Sequence, residues 1–199
     1  MSAARPTVWD DPLEALALWL AEATGTEPRV PDAMQLATVS ASGRPSIRTV
    51  LLKDHGPEGL VFYTNFESRK AQELDEVPRA AVCLHWKTLE RQILAEGPVE
   101  RVEDAVADGY FASRARGSQV GAWASPQSRT LRDRAQLQAA VEAQAARFAD
   151  QPVPRPPFWG GYRLRPERIE LWQGQPDRLH DRWCYTRTAT GWSRERLAP

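Results

Sequence analysis

The chain has 199 residues, of which 42% are hydrophobic, and its basic and acidic side chains balance to a formal net charge of zero. This length and composition are typical of a globular protein with a sizeable core, while the zero net charge argues against a general nucleic-acid-binding protein. No apolar run approaches the roughly 20 residues that a membrane-spanning helix needs, and the N-terminal MSAARPTVWDDP lacks the apolar region of a secretory signal. We therefore expect a cytoplasmic protein that neither spans a membrane nor binds nucleic acid.

The first predicted element is a helix over residues 10–24, where an aspartate can cap the N-terminus, Pro12 fits the first turn and leucines form an apolar stripe. Short runs of β-forming residues follow, and glycine or proline turns separate several of them. The predicted strands comprise residues 34–40, 46–53, 60–64, 79–86, 90–96, 98–102, 161–165, 168–173, 182–187 and 192–197. The helices that interrupt them comprise residues 68–76, about 103–113 and about 129–149.

This order of elements favours one fold class. Many short, hairpin-spaced strands with a few inserted helices indicate an antiparallel barrel rather than a parallel α/β sheet, so we predict a mainly β protein of the α+β class. We treat residues 1–199 as one domain, with an N-terminal helix and linker over residues 1–30 and a barrel with inserted helices over residues 34–199.

Several common kinds of active site lack their sequence signals. There is no GxGxxG after a predicted strand, no GxxxxGK and no GxSxG, which argues against a Rossmann dinucleotide site, a P-loop and a hydrolase nucleophile. The three histidines lie far apart without zinc-ligand spacing, so we expect no metal site, and we expect Cys83 and Cys184 to be free, buried thiols. His180 and Asp181 are adjacent, but neighbours in a strand face opposite ways, which argues against a catalytic dyad.

What remains is a set of polar clusters that suit an anion. The chain contains only three lysines, and two of them, Lys53 and Lys70, fall in the densest of these clusters. The clusters comprise Arg48 and Lys53, then Tyr63 and Thr64, then Ser68, Arg69 and Lys70, and finally Gln127 and Ser128. The third cluster lies at a predicted helix start and the fourth just before another, where free backbone N–H groups and the helix dipole favour an anion.

A further polar group is defined by its spacing. Tyr110, Arg114 and Ser118 are four residues apart and line one helix face if the helix continues that far. A guanidinium between two hydroxyls suits a phosphate monoester.

The stretch WQGQPDRLHDRW, residues 172–183, carries a comparable pattern. If it is extended, Arg178, His180 and Arg182 share one face as a row of three hydrogen-bond donors. The residues alone leave the ligand of this row open.

Taken together, these clusters resemble the pyridoxamine (pyridoxine) 5'-phosphate oxidase family. The matching stretches occur in the family's order from about Met34 to Pro199: RTVLLK (48–53), FYTNFESRKAQEL (62–74), WKTLERQ (86–92), YFASRARGSQVGAWASPQS (110–128), FWGGYRL (158–164), IELWQGQPDRLHDR (169–182) and RLAP (196–199). The resemblance implies a split β-barrel, a homodimer, and FMN bound near the subunit interface.

The resemblance also implies roles for individual residues. FMN contacts are implied for Arg48, Thr49, Val50, Leu51, Leu52, Lys53, Tyr63, Thr64, Arg69, Lys70, Gln92, Gln127, Ser128, Trp172 and Arg182. Substrate contacts are implied for Lys53, Tyr110, Arg114, Ser118, Arg178, Leu179 and His180. Of these, Arg178 and His180 are the expected catalytic residues, and Arg178 is our choice for the one that orients the reacting carbon.

The implied activity is FMN-dependent oxidation of pyridoxamine 5'-phosphate and pyridoxine 5'-phosphate to pyridoxal 5'-phosphate, with dioxygen as electron acceptor and hydrogen peroxide as product. One alternative is a related FMN-dependent oxidase of the same fold that acts on another ring substrate, as in phenazine formation. Another is a non-catalytic flavin- or pyridoxal-phosphate-binding protein. The joint presence of Tyr110, Arg114, Ser118, Arg178 and His180 favours a phosphorylated pyridine substrate over both alternatives.

Overall fold

The computed structural model describes residues 9–27 and 29–199, and this part of the chain contains five α-helices and ten strands. The helices are α1 (Pro12–Thr26), α2 (Arg69–Glu76), α3 (Asp104–Ser113), α4 (Arg116–Ala124) and α5 (Arg134–Arg147). The strands are β1 (Ala33–Val39), β2 (Pro45–Leu51), β3 (Asp54–Gly56), β4 (Gly59–Asn65), β5 (Arg79–Trp86), β6 (Arg91–Arg101), β7 (Trp159–Leu164), β8 (Arg168–Gln173), β9 (Asp181–Thr188) and β10 (Gly191–Leu197). No helix in the described ranges is long and apolar enough to cross a membrane.

The predicted order of elements is confirmed, with four differences. Strand β3 was not predicted, because it has only three residues and lies in the segment between the strands predicted over residues 46–53 and 60–64. The strands predicted over residues 90–96 and 98–102 form one strand, β6, that continues through Pro98. The helix predicted over about 129–149 begins only at Arg134, because Asp133 caps it there by accepting a hydrogen bond from a backbone N–H. Helix α4 was not predicted, since its sequence RGSQVGAWA contains two glycines and buries only two side chains.

The strands form an antiparallel barrel with one unpaired seam. Strand β1 pairs with β2 and β5, β5 with β6, β6 with β7, and β7 with β4. Among the described strands, β2 and β4 form no ladder with each other. The backbone N–H of Lys53 donates to the carbonyl of Val61 at 2.8 Å just beyond the end of β2, so the seam is closed at that end. The rest of the seam leaves one edge of β2 free for other partners.

Strand β6 changes partner halfway along its length. Its residues up to Glu96 pair with β8, whereas its C-terminal part pairs with β7. The connection from β7 to β8 crosses β6 here, since the backbone N–H groups of Arg165 and Glu167 donate to the carbonyls of Pro98 and Glu96, both at 2.9 Å. Gly97 permits this crossing, because a Cβ there would lie 2.1 Å from the carbonyl oxygen of Arg165. Strands β8, β9 and β10 therefore continue the sheet beyond this crossing as a wing, and Ile169 and Tyr185 of the wing are buried in the same core as the barrel side chains.

We expect Gly97→Ala to destabilise the protein by about 2 kcal/mol, because the added methyl group forces the backbone of β6 and the crossing segment apart. Chemical denaturation monitored by circular dichroism measures the change. Gly109→Ala is the matched control, since Gly109 lies inside α3 and a Cβ there would meet nothing within 4 Å. A Gly97→Ala protein as stable as the control would contradict the crossing described above.

The barrel interior is apolar and continuous. Met34, Phe62, Leu84, Trp86 and Ile93 are all buried in it, and they come from four strands that surround the barrel axis. Helix α1 adds its own apolar stripe to this core. Because side chains alternate across a strand, the residues between these core positions face the outer surface of the sheet.

Candidate active site

A cavity of about 320 Å³ lies along the seam between β2 and β4. It is lined by Arg48, Thr49, Val50, Leu51, Lys53, Tyr63, Thr64, Lys70, Tyr110, Arg114, Gln127 and Trp159. All of these except Trp159 are predicted site residues. The fold therefore brings together residues that are more than sixty positions apart in the sequence.

The cavity lining is cationic. Four lining residues carry positive charge and none carries a carboxylate. Two of the four have carboxylate partners outside the lining: Lys53 lies 2.6 Å from Asp32, and Arg48 lies 3.3 Å from Glu73. The other two, Lys70 and Arg114, form no ion pair with any residue that the structure describes. These two cations are available to an anionic ligand.

Lys70 is a buried ammonium group surrounded by neutral acceptors. Its Nζ donates to Oε1 of Gln127 at 2.9 Å and to the hydroxyls of Thr64 and Ser68 at 3.1 and 3.3 Å. The residue is 8% exposed. Burial, followed by repulsion from Arg48, lowers the pKa of Lys70 to about 8. A phosphate group at this position would supply the negative charge that the buried ammonium lacks.

Arg114 is the second cation without a carboxylate partner. It follows the last residue of α3, and its guanidinium lies over the ring of Trp159, with Cζ 4.8 Å from the ring centroid. Its Nη1 is buried and has no hydrogen-bond partner among the described residues, and burial lowers its pKa. A buried donor without an acceptor is costly, so this nitrogen marks a position that a ligand oxygen would satisfy.

Arg48 is held by a buried carboxylate at the base of the cavity. Its Nη1 donates to the hydroxyl of Thr38 at 2.7 Å, and its Nη2 lies 3.3 Å from Glu73. Glu73 also accepts hydrogen bonds from Ser46 at 2.6 Å and from Arg69 at 2.8 Å. Burial raises the pKa of Glu73, but the hydrogen bonds from Ser46, Thr38 and Arg69 outweigh it and lower the pKa to about 2. Glu73 therefore stays ionised and fixes both guanidinium groups.

Three aromatic rings form one wall of the cavity. The rings of Tyr63 and Tyr110 are stacked with centroids 3.9 Å apart, and the ring of Trp159 stacks on Tyr63 at 5.3 Å. The glycines of the FWGGY motif leave room for this stack, because a Cβ on Gly161 would lie 2.8 Å from the Tyr63 ring. The wall is apolar and rigid, and it places the hydroxyl groups of two tyrosines beside the cationic lining.

The helix does not continue far enough for Tyr110, Arg114 and Ser118 to share one face. Helix α3 ends at Ser113, Arg114 has extended backbone angles, and α4 begins at Arg116. The three residues nevertheless lie near one another. Tyr110 and Arg114 line the main cavity, and Arg114 and Ser118 line an adjoining cavity of about 280 Å³. The break between the helices turns Arg114 towards the boundary of both cavities.

Gln127 and Ser128 also reach the site by a route that differs from the predicted one. They were expected to precede the long helix directly, but that helix starts only at Arg134. The loop that carries them packs on the start of α2 instead. Gln127 accepts a hydrogen bond from Lys70, and the Ser128 hydroxyl accepts one from the backbone N–H of Arg69 at 3.2 Å. Both residues therefore contact the first turn of α2.

The extended backbone on which a row of donors in WQGQPDRLHDRW depends is not present. Strands β8 and β9 form a hairpin, and the turn between them holds two consecutive non-glycine residues, including Arg178, at φ of 57° and 61°. Arg178, His180 and Arg182 therefore do not form a row on one strand face. His180 instead lies against Trp172, with ring centroids 4.6 Å apart.

Not every predicted site residue lines the two cavities. The residues outside both linings are Leu52, Arg69, Gln92, Ser128, Trp172, Arg178, Leu179, His180 and Arg182. The Leu52 side chain lies in the barrel core. Gln92, Trp172 and Arg182 lie directly opposite one another on β6, β8 and β9, so their side chains share the outer face of the sheet. Arg182 is paired there with Glu170 through two hydrogen bonds of 2.8 and 3.0 Å.

Two important residues were not among the predicted ones. Glu73 is four positions after Arg69 on α2, and this helical spacing of opposite charges indicates the Arg69–Glu73 ion pair. Nothing local in the sequence indicates that Glu73 also contacts Arg48. Trp159 belongs to the FWGGYRL stretch, yet nothing local indicates that its ring lies under Arg114.

The fold and the site together define a class: an antiparallel split-barrel protein whose seam holds a cationic cavity suited to phosphate-bearing ligands. Residues 21–147 match the family model described as pyridoxamine 5'-phosphate oxidase. Residues 159–199 match the model for the pyridoxine 5'-phosphate oxidase C-terminal dimerisation region. The chain belongs to the pyridoxamine 5'-phosphate oxidase family.

Individual relatives are similar over nearly the whole chain. A pyridoxine/pyridoxamine 5'-phosphate oxidase of Sphingopyxis alaskensis is 55% identical over 190 residues, which cover 96% of this chain and 88% of the relative. A protein of the same name from Brucella canis is 52% identical over 191 residues, with coverage of 95% and 94%. The crystal structure of PhzG from Burkholderia lata in complex with tetrahydrophenazine-1-carboxylic acid is 33% identical, with a TM-score of 0.92 and coverage of 99% of this chain and 98% of that one.

Proposed function

We propose that this protein is an FMN-dependent oxidase that converts pyridoxamine 5'-phosphate and pyridoxine 5'-phosphate to pyridoxal 5'-phosphate, with dioxygen as electron acceptor and hydrogen peroxide as product. The observation that carries this proposal is a pair of cations in one cavity that have no carboxylate partner among the described residues: buried Lys70, and half-buried Arg114 with its buried Nη1. FMN and the substrate are both phosphate esters, so the reaction needs two anion sites. The relatives that are 52% and 55% identical carry the name of this activity.

The residues around Lys70 suit the phosphate of FMN. Lys70, Thr64 and Gln127 already share hydrogen bonds, and a phosphate could take the place of the neutral acceptors around the ammonium. The free edge of β2 offers unpaired backbone N–H and C=O groups to a polar ring system, next to Thr49 and Val50. Bound FMN supplies the redox chemistry, since it takes up a hydride equivalent and passes the electrons to dioxygen.

The residues around Arg114 suit the phosphate of the substrate. The unpartnered Nη1 of Arg114 donates to it in this proposal, with the hydroxyls of Tyr110 and Ser118 on either side and Lys53 across the cavity. Lys53 can turn from its exposed ion pair with Asp32 towards a ligand at small cost. Holding the phosphate at one end fixes the distance of the reacting carbon from the anchoring groups, which is a proximity effect.

We infer that the active site is completed by a second copy of the chain. The turn with Arg178 and His180, and the outer row of Gln92, Trp172 and Arg182, line neither cavity. The C-terminal segment that carries most of them matches a dimerisation region. A homodimer with FMN near its interface would bring this surface of one protomer over the cavity of its partner.

An oxidation assay tests the proposed function. We expect the purified protein, loaded with FMN, to form pyridoxal 5'-phosphate and hydrogen peroxide when pyridoxamine 5'-phosphate is added under air. A protein that binds FMN but forms neither product, and oxidises a phenazine precursor instead, would support the alternative of a related FMN-dependent oxidase that acts on another ring substrate. A protein that binds FMN and oxidises neither substrate would support the alternative of a non-catalytic flavin-binding protein.

We expect Arg178→Ala to lower kcat by about a hundredfold while FMN stays bound, because a positioned guanidinium contributes to orienting the substrate and not to holding the cofactor. Steady-state kinetics and the ratio of flavin to protein absorbance measure the two effects. Arg187→Ala is the control, since Arg187 lies on β9 of the same hairpin but its guanidinium packs on Trp192. Loss of flavin from the Arg178→Ala protein would contradict this assignment.

Two broader predictions are included in the proposal. Because β7 and β8 both pair with β6, we propose that the barrel and the C-terminal strands act as a single domain. A cytoplasmic location for the enzyme remains a prediction from the sequence.

A further inference from the structure

We propose that Asp181 and Gln175 are positioning residues that hold His180 as a hydrogen-bond donor towards the substrate and not as a base. This inference rests on the proposed function only in assigning the substrate as the partner of His180. The contacts that carry it lie within the β8–β9 hairpin and are independent of any ligand.

The first contact fixes the proton on the imidazole. The backbone N–H of Gln175 donates to Nδ1 of His180 at 3.1 Å. A nitrogen that accepts a hydrogen bond carries no proton, so the neutral ring must have its proton on Nε2. His180 therefore presents an N–H group on the side away from Gln175, and its basic nitrogen is already occupied.

The second contact fixes Gln175 itself. Asp181 is 7% exposed, and its Oδ2 accepts a hydrogen bond from Nε2 of Gln175 at 2.8 Å. The other carboxylate oxygen of Asp181 accepts a hydrogen bond from Arg196 on β10. Asp181 is also the first residue of β9 and pairs in register with the last residue of β8. The carboxylate thus connects the turn to the rigid wing of the sheet.

The turn needs such an anchor because its backbone is strained. Asp177 and Arg178 lie in the left-handed region, with φ of 57° and 61°, a conformation that costs non-glycine residues roughly 1 kcal/mol each. Without the link from Gln175 to Asp181, the turn could relax to other conformations and carry His180 with it. The Trp172 ring covers one side of the imidazole but forms no directional bond to it.

The charged surroundings of the imidazole come from four segments. Neighbours along the chain are Asp177 and Arg178 in the turn and Asp181 and Arg182 on β9. Arg196 on β10 contacts Asp181, and the backbone carbonyl of Glu90 accepts a hydrogen bond from the backbone N–H of Gly174 at the start of the turn. The carboxylate of Asp181 forms its described hydrogen bonds with Gln175 and Arg196, and none with the His180 ring. The adjacent pair His180–Asp181 therefore works through Gln175 and not as a catalytic dyad.

A double-mutant cycle in the FMN-loaded enzyme tests whether Gln175 acts through His180. We expect Gln175→Ala to lower kcat about tenfold with little change in KM or flavin content, the size of effect that loss of one hydrogen bond produces. In the His180→Ala background, Gln175→Ala should have no further effect. If Gln175→Ala lowers kcat by the same factor in the wild type and in His180→Ala, the proposal is overturned, because Gln175 then acts independently of His180.

Two more variants keep this test decisive. Gln175→Glu retains the size of the side chain but sets a carboxylate against Asp181, and we expect the same loss of kcat as in Gln175→Ala. Gln138→Ala is the matched control, since Gln138 is an exposed glutamine on α5, and it should behave like the wild type. If Gln175→Ala does not fold, the cycle is run with Gln175→Glu.

A measurement without substrate separates this proposal from the proposed function. Nitrogen-15 NMR of the histidine rings in the FMN-loaded protein, at a pH where the imidazole is neutral, should show His180 Nδ1 unprotonated and Nε2 protonated. Gln175→Glu should disturb this signal and leave those of His55 and His85 unchanged. If the protein oxidises no substrate yet shows this pattern, only the proposed function fails. A protonated Nδ1 in an active enzyme would overturn the positioning proposal alone.

Discussion

Replacing Lys70 with methionine is expected to weaken FMN binding about a hundredfold. The methionine side chain fills a similar volume, but it removes the one buried ammonium group whose described hydrogen-bond partners are all neutral. Losing one partner of a buried, hydrogen-bonded charge pair typically costs a few kcal/mol of binding free energy. Quenching of FMN fluorescence during titration of the apoprotein measures the dissociation constant.

The same lysine should make FMN binding depend on pH. Since the pKa of Lys70 is about 8 in the protein alone, its ammonium is lost as the pH rises above that value. A phosphate monoester is already dianionic above its second pKa of about 6, so its charge does not change in this range. The protonation of Lys70 therefore sets how FMN affinity depends on pH. We expect affinity to fall about tenfold for each pH unit above about 8, and to be flat over the same range in Lys70→Met.

The control for both measurements is Lys87→Met, because Lys87 is an exposed lysine in the turn between β5 and β6. This variant should bind FMN like the wild type and show the same pH dependence. An unchanged dissociation constant in Lys70→Met would contradict the assignment of this residue to the cofactor phosphate.

Replacing Glu73 with glutamine is expected to have the largest effect on stability. The glutamine cannot balance the charge of Arg48, which is partly buried beside it, and the hydrogen bonds that Ser46 and Thr38 donate lose their charged acceptor. Hydrogen bonds to charged groups are each worth about 2 kcal/mol, so we expect the free energy of unfolding to fall by at least this amount. Urea denaturation of the apoprotein measures it.

The contribution of Glu73 should also disappear in acid. The pKa of Glu73 is about 2 in the folded protein and 4.5 in the unfolded chain, so the folded state favours the ionised carboxylate. The stabilisation is complete above pH 4.5 and is lost as the pH falls towards about 2. Glu76→Gln, on the exposed end of the same helix, serves as control. Wild type and Glu73→Gln should differ at neutral pH and converge in acid; a constant difference would contradict this account.

The sequence predicts the barrel well because its strands are local patterns. The alternation of buried and exposed residues in β5 and the turn residues between strands are visible without tertiary information. The family resemblance rests on ordered motifs, and it places eleven residues that the folded chain gathers around one cavity.

Other features depend on contacts between distant segments, and these could not be predicted. The loop with Gln127 was expected to serve the helix that follows it, but it packs on α2, more than fifty residues earlier. The conformation of the hairpin turn at Arg178 depends on β8 and β9, which hold its two ends, so the sequence alone left it open. The role of Glu73 at the base of the cavity required β1, β2 and α2 to meet.

The central claim is tested most directly by mixing the FMN-loaded protein with an excess of pyridoxamine 5'-phosphate in the absence of dioxygen. We predict that the yellow absorbance of the flavin disappears and that one pyridoxal 5'-phosphate forms for each flavin, after which the reaction stops until air is admitted. A flavin that keeps its colour, or that bleaches without forming pyridoxal 5'-phosphate, would contradict the account.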